Sequence, residues 1–172
     1  MYKQRLFSGI VLVILAVVTL YFGGMVTLLV IAAISLMGMY ELLKRIKQER
    51  SALAVVAYSG AILYYLLLWL NFEKFILPLA LLILIMLFSV YVFSFPRFHI
   101  SDVTMAYFSL FYVTIMLSCI YRIRIMENGG YMIVLVFLSA WGNDTLAYCA
   151  GRLFGKHKMS PILSPKKTIE DS

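Results

Sequence analysis

Lys166 and Lys167 stand side by side between two hydroxyl residues, Ser164 and Thr168, with Pro165 before them and Glu170 just after. Proline fits the first position of a helix, and a serine oxygen ahead of it can accept an orphan backbone N–H. The spacing therefore predicts a helix that starts at Pro165 with Ser164 as its cap. Two lysines in a first turn oppose the helix macrodipole, so they add nothing to the helix itself. Free N–H groups, the positive helix end and two ammonium ions would instead converge on one anion, and a polyphosphate suits that set. Thr168 adds a hydroxyl donor, and Glu170 a carboxylate for a metal ion or a lysine. A plain basic tail accounts for the same residues without a ligand.

Upstream, Gly151 to Ser160 reads Gly-Arg-Leu-Phe-Gly-Lys-His-Lys-Met-Ser. A P-loop needs four residues between its glycines and Ser or Thr straight after its lysine. Here Gly155 follows Gly151 too soon, and His157 follows Lys156. What remains is a helix end with Arg152, Lys156 and Lys158 as cations near a membrane surface, while His157 reads as a surface residue.

Asn143, Asp144 and Thr145 interrupt the last apolar stretch. An ionisable side chain at membrane depth is costly and rarely sits there without a cation, a hydrogen-bond partner or a water-filled cavity, which makes Asp144 a functional candidate. Ala140, Asp144, Ala147 and Gly151 recur at helical spacing as a stripe of small residues that lets another helix or a ligand come close. The structural alternative is that Asp144 pairs with a buried arginine or caps a broken helix. The Asn143-Asp144-Thr145 glycosylation sequon is a coincidence at such a place.

These residues need elements to hold them, and composition says which kind. Hydrophobic residues make up 63% of the 172, charged residues 13%, and mean hydropathy is +0.95, against about a quarter charged in ordinary soluble domains. The expected class is an all-α integral membrane protein. A spanning helix needs roughly 20 apolar residues, and about six stretches qualify: 6–22, 25–40, 52–70, 75–95, 103–121 and 131–151, with Gly23-Gly24 as a tight turn. Residues 1–151 thus form the transmembrane part, and 152–172 a cytoplasmic substrate-binding segment. Lys3 and Arg5 precede an apolar run as in a signal peptide, but no small-residue cleavage site follows, so the run reads as an uncleaved anchor.

Charge sets the orientation. Lys3 and Arg5, the loop with Lys44, Arg45, Lys47 and Arg50, Arg97, and the basic residues from Arg152 to Lys167 fall on one side; Lys74, Arg122 and Arg124 fall on the other. By the positive-inside rule both termini are expected in the cytoplasm. The run Glu-Leu-Leu-Lys-Arg-Ile-Lys-Gln-Glu-Arg (41–50) reads as an amphipathic continuation of a helix, either a topology signal or a contact with anionic lipid. The net charge of +7 has no interleaved aromatic residues of the kind a nucleic-acid surface shows, so nucleic acid is not an expected partner. Cys119 and Cys149 match no metal or redox spacing and, lying in apolar stretches, read as buried free thiols.

Asp144 to Tyr148, Gly151 to Lys158, Ser160-Pro161 and Ser164 to Glu170 together resemble the central block of bacterial CDP-diacylglycerol synthases, the phosphatidate cytidylyltransferases. The likeness spans about 27 residues in order and spacing. It implies a multi-pass enzyme of the inner (plasma) membrane, active on the cytoplasmic side, that joins CTP and phosphatidic acid with Mg²⁺ to give CDP-diacylglycerol and pyrophosphate. Lys166 and Lys167 would hold the triphosphate, Ser164 and Thr168 would hydrogen-bond it, and Lys156, Lys158 and Arg152 would attract phosphate. Asp144 and Glu170 would hold the metal ion, with Asp144 also catalytic. Two polyanions must meet without repulsion, which is work for lysines and a metal ion.

The sequence departs from that family after Glu170, where Asp171 and Ser172 end it. The family's second signature, His-Gly-Gly with an Asp-Arg-x-Asp run of metal-binding carboxylates, does not occur. The resemblance therefore implies the N-terminal part of such an enzyme, inactive by itself. A non-catalytic membrane scaffold that docks on anionic lipid is the alternative. It would bind lipid in a salt-dependent way and ignore nucleotide. Membrane lipids are partners in either case, and a homo-oligomer is left open.

Overall fold

The structure, a computed structural model, describes residues 21–154, 158–160 and 164–168. The expected span 6–22 lies outside the described residues except for Tyr21 and Phe22, which are helical. Gly23 and Gly24 then have φ of +58° and +45°, the left-handed region that favours glycine. This is the turn expected of the Gly-Gly step.

Helix α1 runs Gly24–Arg45, α2 Ala52–Trp69 and α3 Ile76–Phe93, with a 3-10 turn at Glu73–Phe75 leading into α3. Helix α4, Ile100–Ser109, continues through a π-helical turn, Leu110–Ile115, into α5, Met116–Ile125. Helix α6 is Gly129–Phe154, followed by strands β1, Lys158–Ser160, and β2, Ser164–Thr168. The expected helical membrane class holds. Among the described residues, four helical runs are long and apolar enough to cross a bilayer: Gly24–Arg45, Ala52–Trp69, Glu73–Phe93 and Ile100–Ile125. They correspond to the expected 25–40, 52–70, 75–95 and 103–121. The first is longer because Glu41–Arg45 continue the helix, as the amphipathic reading anticipated. The expected 131–151 lies inside α6, whose 26 residues extend about 39 Å at the usual helical rise.

The helix ends are closed by local chemistry. Ser51 caps α2 and accepts from the Ala54 N–H at 3.2 Å. At the end of α1, Lys47 takes φ +58°, and the N–H groups of Lys47 and Gln48 donate to the Lys44 and Leu43 carbonyls at 3.0 and 2.9 Å. The end of α2 repeats this pattern: Asn71 has φ +56°, and Asn71 and Phe72 donate to Leu68 and Leu67 at 3.2 and 2.9 Å. Both are Schellman closures, with lysine and asparagine where glycine is commonest.

The chain divides into two compact units, Met1–Glu127 and Asn128–Ser172. In the first, one core cluster is built around Met39, Leu43, Leu53, Ala57, Leu87 and Val103, and a second around Leu28, Ile31, Tyr64, Tyr65 and Tyr121. Gly60 brings α2 close to α3: a Cβ placed there would lie 2.5 Å from Ile83 Cδ1. Small residues at such crossings are how membrane helices gain packing without a hydrophobic driving force. Helix α3 leaves Leu77, Leu81, Leu82, Ile85 and Val92 exposed, a surface suited to lipid.

One expectation fails in the second unit. No helix starts at Pro165. Residues 164–168 form β2, which pairs antiparallel with β1 in the register Lys158 with Thr168 and Ser160 with Ser164, irregular between Lys158 and Ser160. The residue before a proline is driven to extended backbone, and both Ser160 and Ser164 precede one. Pro165 also lacks an N–H for the ladder, in keeping with the irregular register.

Candidate functional site

Residues 158–168 bring together most of the chemistry anticipated from the sequence. The ribbon places Lys158 opposite Thr168 and Ser160 opposite Ser164 in register, with Lys166 and Lys167 at successive positions of β2. Registered partners in an antiparallel pair lie about 4.5 to 5.5 Å apart at Cα. Basic and hydroxyl residues distant by up to ten positions thus share one antiparallel strand pair. The helix dipole assigned to Ser164 and Pro165 has no helix to arise from.

Asp144 and Arg152 are helical positions of α6, eight residues or about 12 Å apart along its axis. Helix α6 runs unbroken through Asn143, Asp144 and Thr145, so Asp144 does not cap a broken helix. Ala140, Asp144, Ala147 and Gly151 fall along one side of that helix by its period. The Thr145 hydroxyl donates to the Trp141 carbonyl at 2.7 Å, a bond to its own helix. Lys156 and Glu170, with Gly155 and His157, lie outside the described residues.

Among the described residues no three His, Cys, Asp or Glu side chains converge as a metal cluster. Of the two expected metal ligands, Asp144 is a position of α6 and Glu170 lies outside the described residues. One or two carboxylates plus substrate phosphates is the usual provision for Mg²⁺. Cys119 is a free thiol as expected but is exposed rather than buried, on a helix whose outer face is open to lipid, and donates to the Ile115 carbonyl at 3.5 Å.

Polar side chains that the spacing did not mark hold the first unit together. The Tyr65 hydroxyl lies 2.5 Å from Ser35 Oγ and donates to the Thr114 carbonyl at 3.2 Å; Tyr64 meets Ser118 Oγ at 2.7 Å. Thr114 Oγ1 donates to Met39 Sδ at 3.3 Å. Their only signal in the sequence was tyrosine, serine and threonine within apolar runs.

The model of the Cytidylyltransferase family matches residues 3–171. A phosphatidate cytidylyltransferase of Staphylococcus saprophyticus is 30% identical over 173 aligned positions, covering 98% of this chain and 65% of that protein. Phosphatidate cytidylyltransferases of Staphylococcus haemolyticus and Aquifex aeolicus are 43% and 38% identical over 84 and 87 positions, covering 49% and 51% of this chain and 32% of each relative. The chain thus spans less than two thirds of the length of these relatives. No solved structure matches it. With the family match running from residue 3 to residue 171, the chain belongs to the cytidylyltransferase family.

Proposed function

We propose that this chain carries the nucleotide-binding part of a phosphatidate cytidylyltransferase of the inner membrane, with the 158–168 ribbon on the cytoplasmic side. The observation that carries the reading is the 30% identity to the S. saprophyticus phosphatidate cytidylyltransferase across 98% of this chain. In the reaction, a phosphate oxygen of phosphatidic acid bonds to the α-phosphorus of CTP. The bond to the bridging α–β oxygen breaks, pyrophosphate leaves, and CDP-diacylglycerol remains in the bilayer. Lys166 and Lys167 bind the triphosphate and offset its charge, while Ser164 and Thr168 orient it by hydrogen bonds. Lys158, Lys156 and Arg152 draw the second phosphate toward the first. Asp144 and Glu170 would hold Mg²⁺, which supplies charge neutralisation at the phosphates when bound.

A chimera tests this. Residues 1–172 replace the matched region of the S. saprophyticus enzyme, and membranes are given labelled CTP and phosphatidic acid. CDP-diacylglycerol should form with CTP and not with ATP or GTP. Lys166→Met and Lys167→Met should each lower turnover at least tenfold, since a charge-assisted hydrogen bond contributes about 1.5 to 3 kcal/mol. Lipid binding by this chain that ignores nucleotide, together with full turnover in both variants, would leave the scaffold reading in its place.

A further inference from the structure

Four helix ends meet at one end of the first unit: α1 stops at Arg45, α2 starts at Ala52, α3 stops at Phe93 and α4 starts at Ile100. Between them lies a cleft of about 350 Å³ whose lining includes Lys47, Glu49, Arg50, Arg97 and Phe98. Its three cations come from two turns far apart in sequence. All three are exposed, and none forms an ion pair with a described residue. The backbone that carries them is tied down. Ser51 Oγ donates to the Gln48 carbonyl at 2.9 Å and accepts from the Ala54 N–H, while the Schellman bonds at Leu43 and Lys44 fix Lys47. The Arg97 guanidinium stands 5.5 Å from the centre of the Phe98 ring, and that ring is 4% exposed. A cation over a buried aromatic face has a fixed place to stand.

Two further features narrow the ligand. Glu49 Oε2 is buried with no hydrogen-bond partner, and a buried acceptor is normally met by a donor. Within five residues of Arg97 in the sequence, Phe93 is 89% exposed and Phe95 70%, with Val92 and Ile100 exposed as well. A soluble phosphate would use the cations and leave the apolar rim and the carboxylate oxygen idle. A phospholipid with a hydroxyl in its headgroup uses all of them.

We propose that the Lys47, Arg50 and Arg97 cleft binds the headgroup of a hydroxyl-bearing anionic phospholipid, with phosphate oxygens on the three cations, a hydroxyl donated to Glu49, and acyl chains along Phe93 and Phe95. The proposal does not depend on nucleotide transfer, because every residue in it belongs to the first unit and none is assigned to CTP. The sequence offered Lys47 and Arg50 either as a topology signal or as a contact with anionic lipid. Only the fold brings Arg97 to them.

The test uses the intact chain in detergent micelles, with phosphatidylglycerol as the probe and phosphatidylcholine as the comparison, and retained lipid counted by native mass spectrometry. The chain should retain one phosphatidylglycerol at least tenfold more strongly than phosphatidylcholine. Arg97→Gln, and Lys47→Gln with Arg50→Gln, should each weaken retention at least tenfold. Lys44→Gln with Arg45→Gln removes two neighbouring charges outside the cleft and should change retention less than twofold. Equal losses in the two double variants would mean a diffuse basic surface and would overturn the proposal. A second arm needs no variant, and so does not depend on their folding: glycerol 3-phosphate, which has the phosphate and hydroxyls but no chains, is added in hundredfold excess to the unaltered complex. Retained lipid supports the site. Displacement would identify a soluble phosphate as the occupant and overturn it.

Discussion

Tyr65 joins three elements through one hydroxyl, since Ser35 is on α1, Tyr65 on α2 and Thr114 in the π turn. The wider π turn shifts the backbone bonding of Leu110–Ile115, and the Thr114 carbonyl there accepts from a side chain outside its own helix. Interhelical hydrogen bonds of this kind in membranes contribute about 0.6 kcal/mol on average and up to about 1.7. Tyr65→Phe should therefore lower stability by about 1 kcal/mol, read as a lower unfolding midpoint in micelles with helix content unchanged. An unchanged midpoint would show that Ser35 and Thr114 satisfy each other without it. None of this pairing was legible in the sequence, because hydroxyls inside apolar runs show depth but not partners. Gly23 and Gly24 were legible, because a doubled glycine between two apolar runs has few other uses.

The elements show the same division. Apolar runs of 16 to 21 residues announced their helices, and the four described spans follow them closely. Their ends were less readable. Lys47 and Asn71 occupy the left-handed position that closes α1 and α2, where lysine gives no signal and asparagine a weak one. A left-handed residue with a Cβ costs roughly 1 to 2 kcal/mol, least for asparagine. Asn71→Val should lower the stability of the first unit by an amount in that range, while Asn71→Gly should match or exceed the original. Thermal unfolding of the two variants checks the order, and equal midpoints would remove the closure as a source of stability. At Ser164-Pro165 the sequence was ambiguous for a physical reason. Proline's fixed φ suits both the first turn of a helix and an extended edge, and the residues that decided for the ribbon, Lys158–Ser160, are those of its partner strand β1.

At the scale of the whole molecule, the fold settles which turns of the first unit share an end, and the charges argue which way that end faces. The Arg122 guanidinium lies 3.5 Å from the Glu73 carboxylate, which fixes the α2–α3 connection and the end of α5 on one side. The cleft with Lys47, Arg50 and Arg97 fixes the α1–α2 and α3–α4 connections on the other. Within this unit the bias is modest: Lys44, Arg45, Lys47, Arg50 and Arg97 stand against Lys74, Arg122 and Arg124. Lysine and arginine near span ends set orientation whatever the neighbouring acids, so Glu41, Glu49 and Asp102 do not weaken the argument. The remaining basic residues, Lys3, Arg5 and those from Arg152 to Lys167, add to the same side under the proposed orientation. A single cysteine at position 47 or 74, with Cys119 and Cys149 replaced by serine, should then respond oppositely to an impermeant maleimide added to intact cells. Position 74 should label, and position 47 should label only after the membrane is opened. The reverse result would turn the basic cleft outward, away from the CTP supply, and with it the side on which nucleotide transfer is proposed.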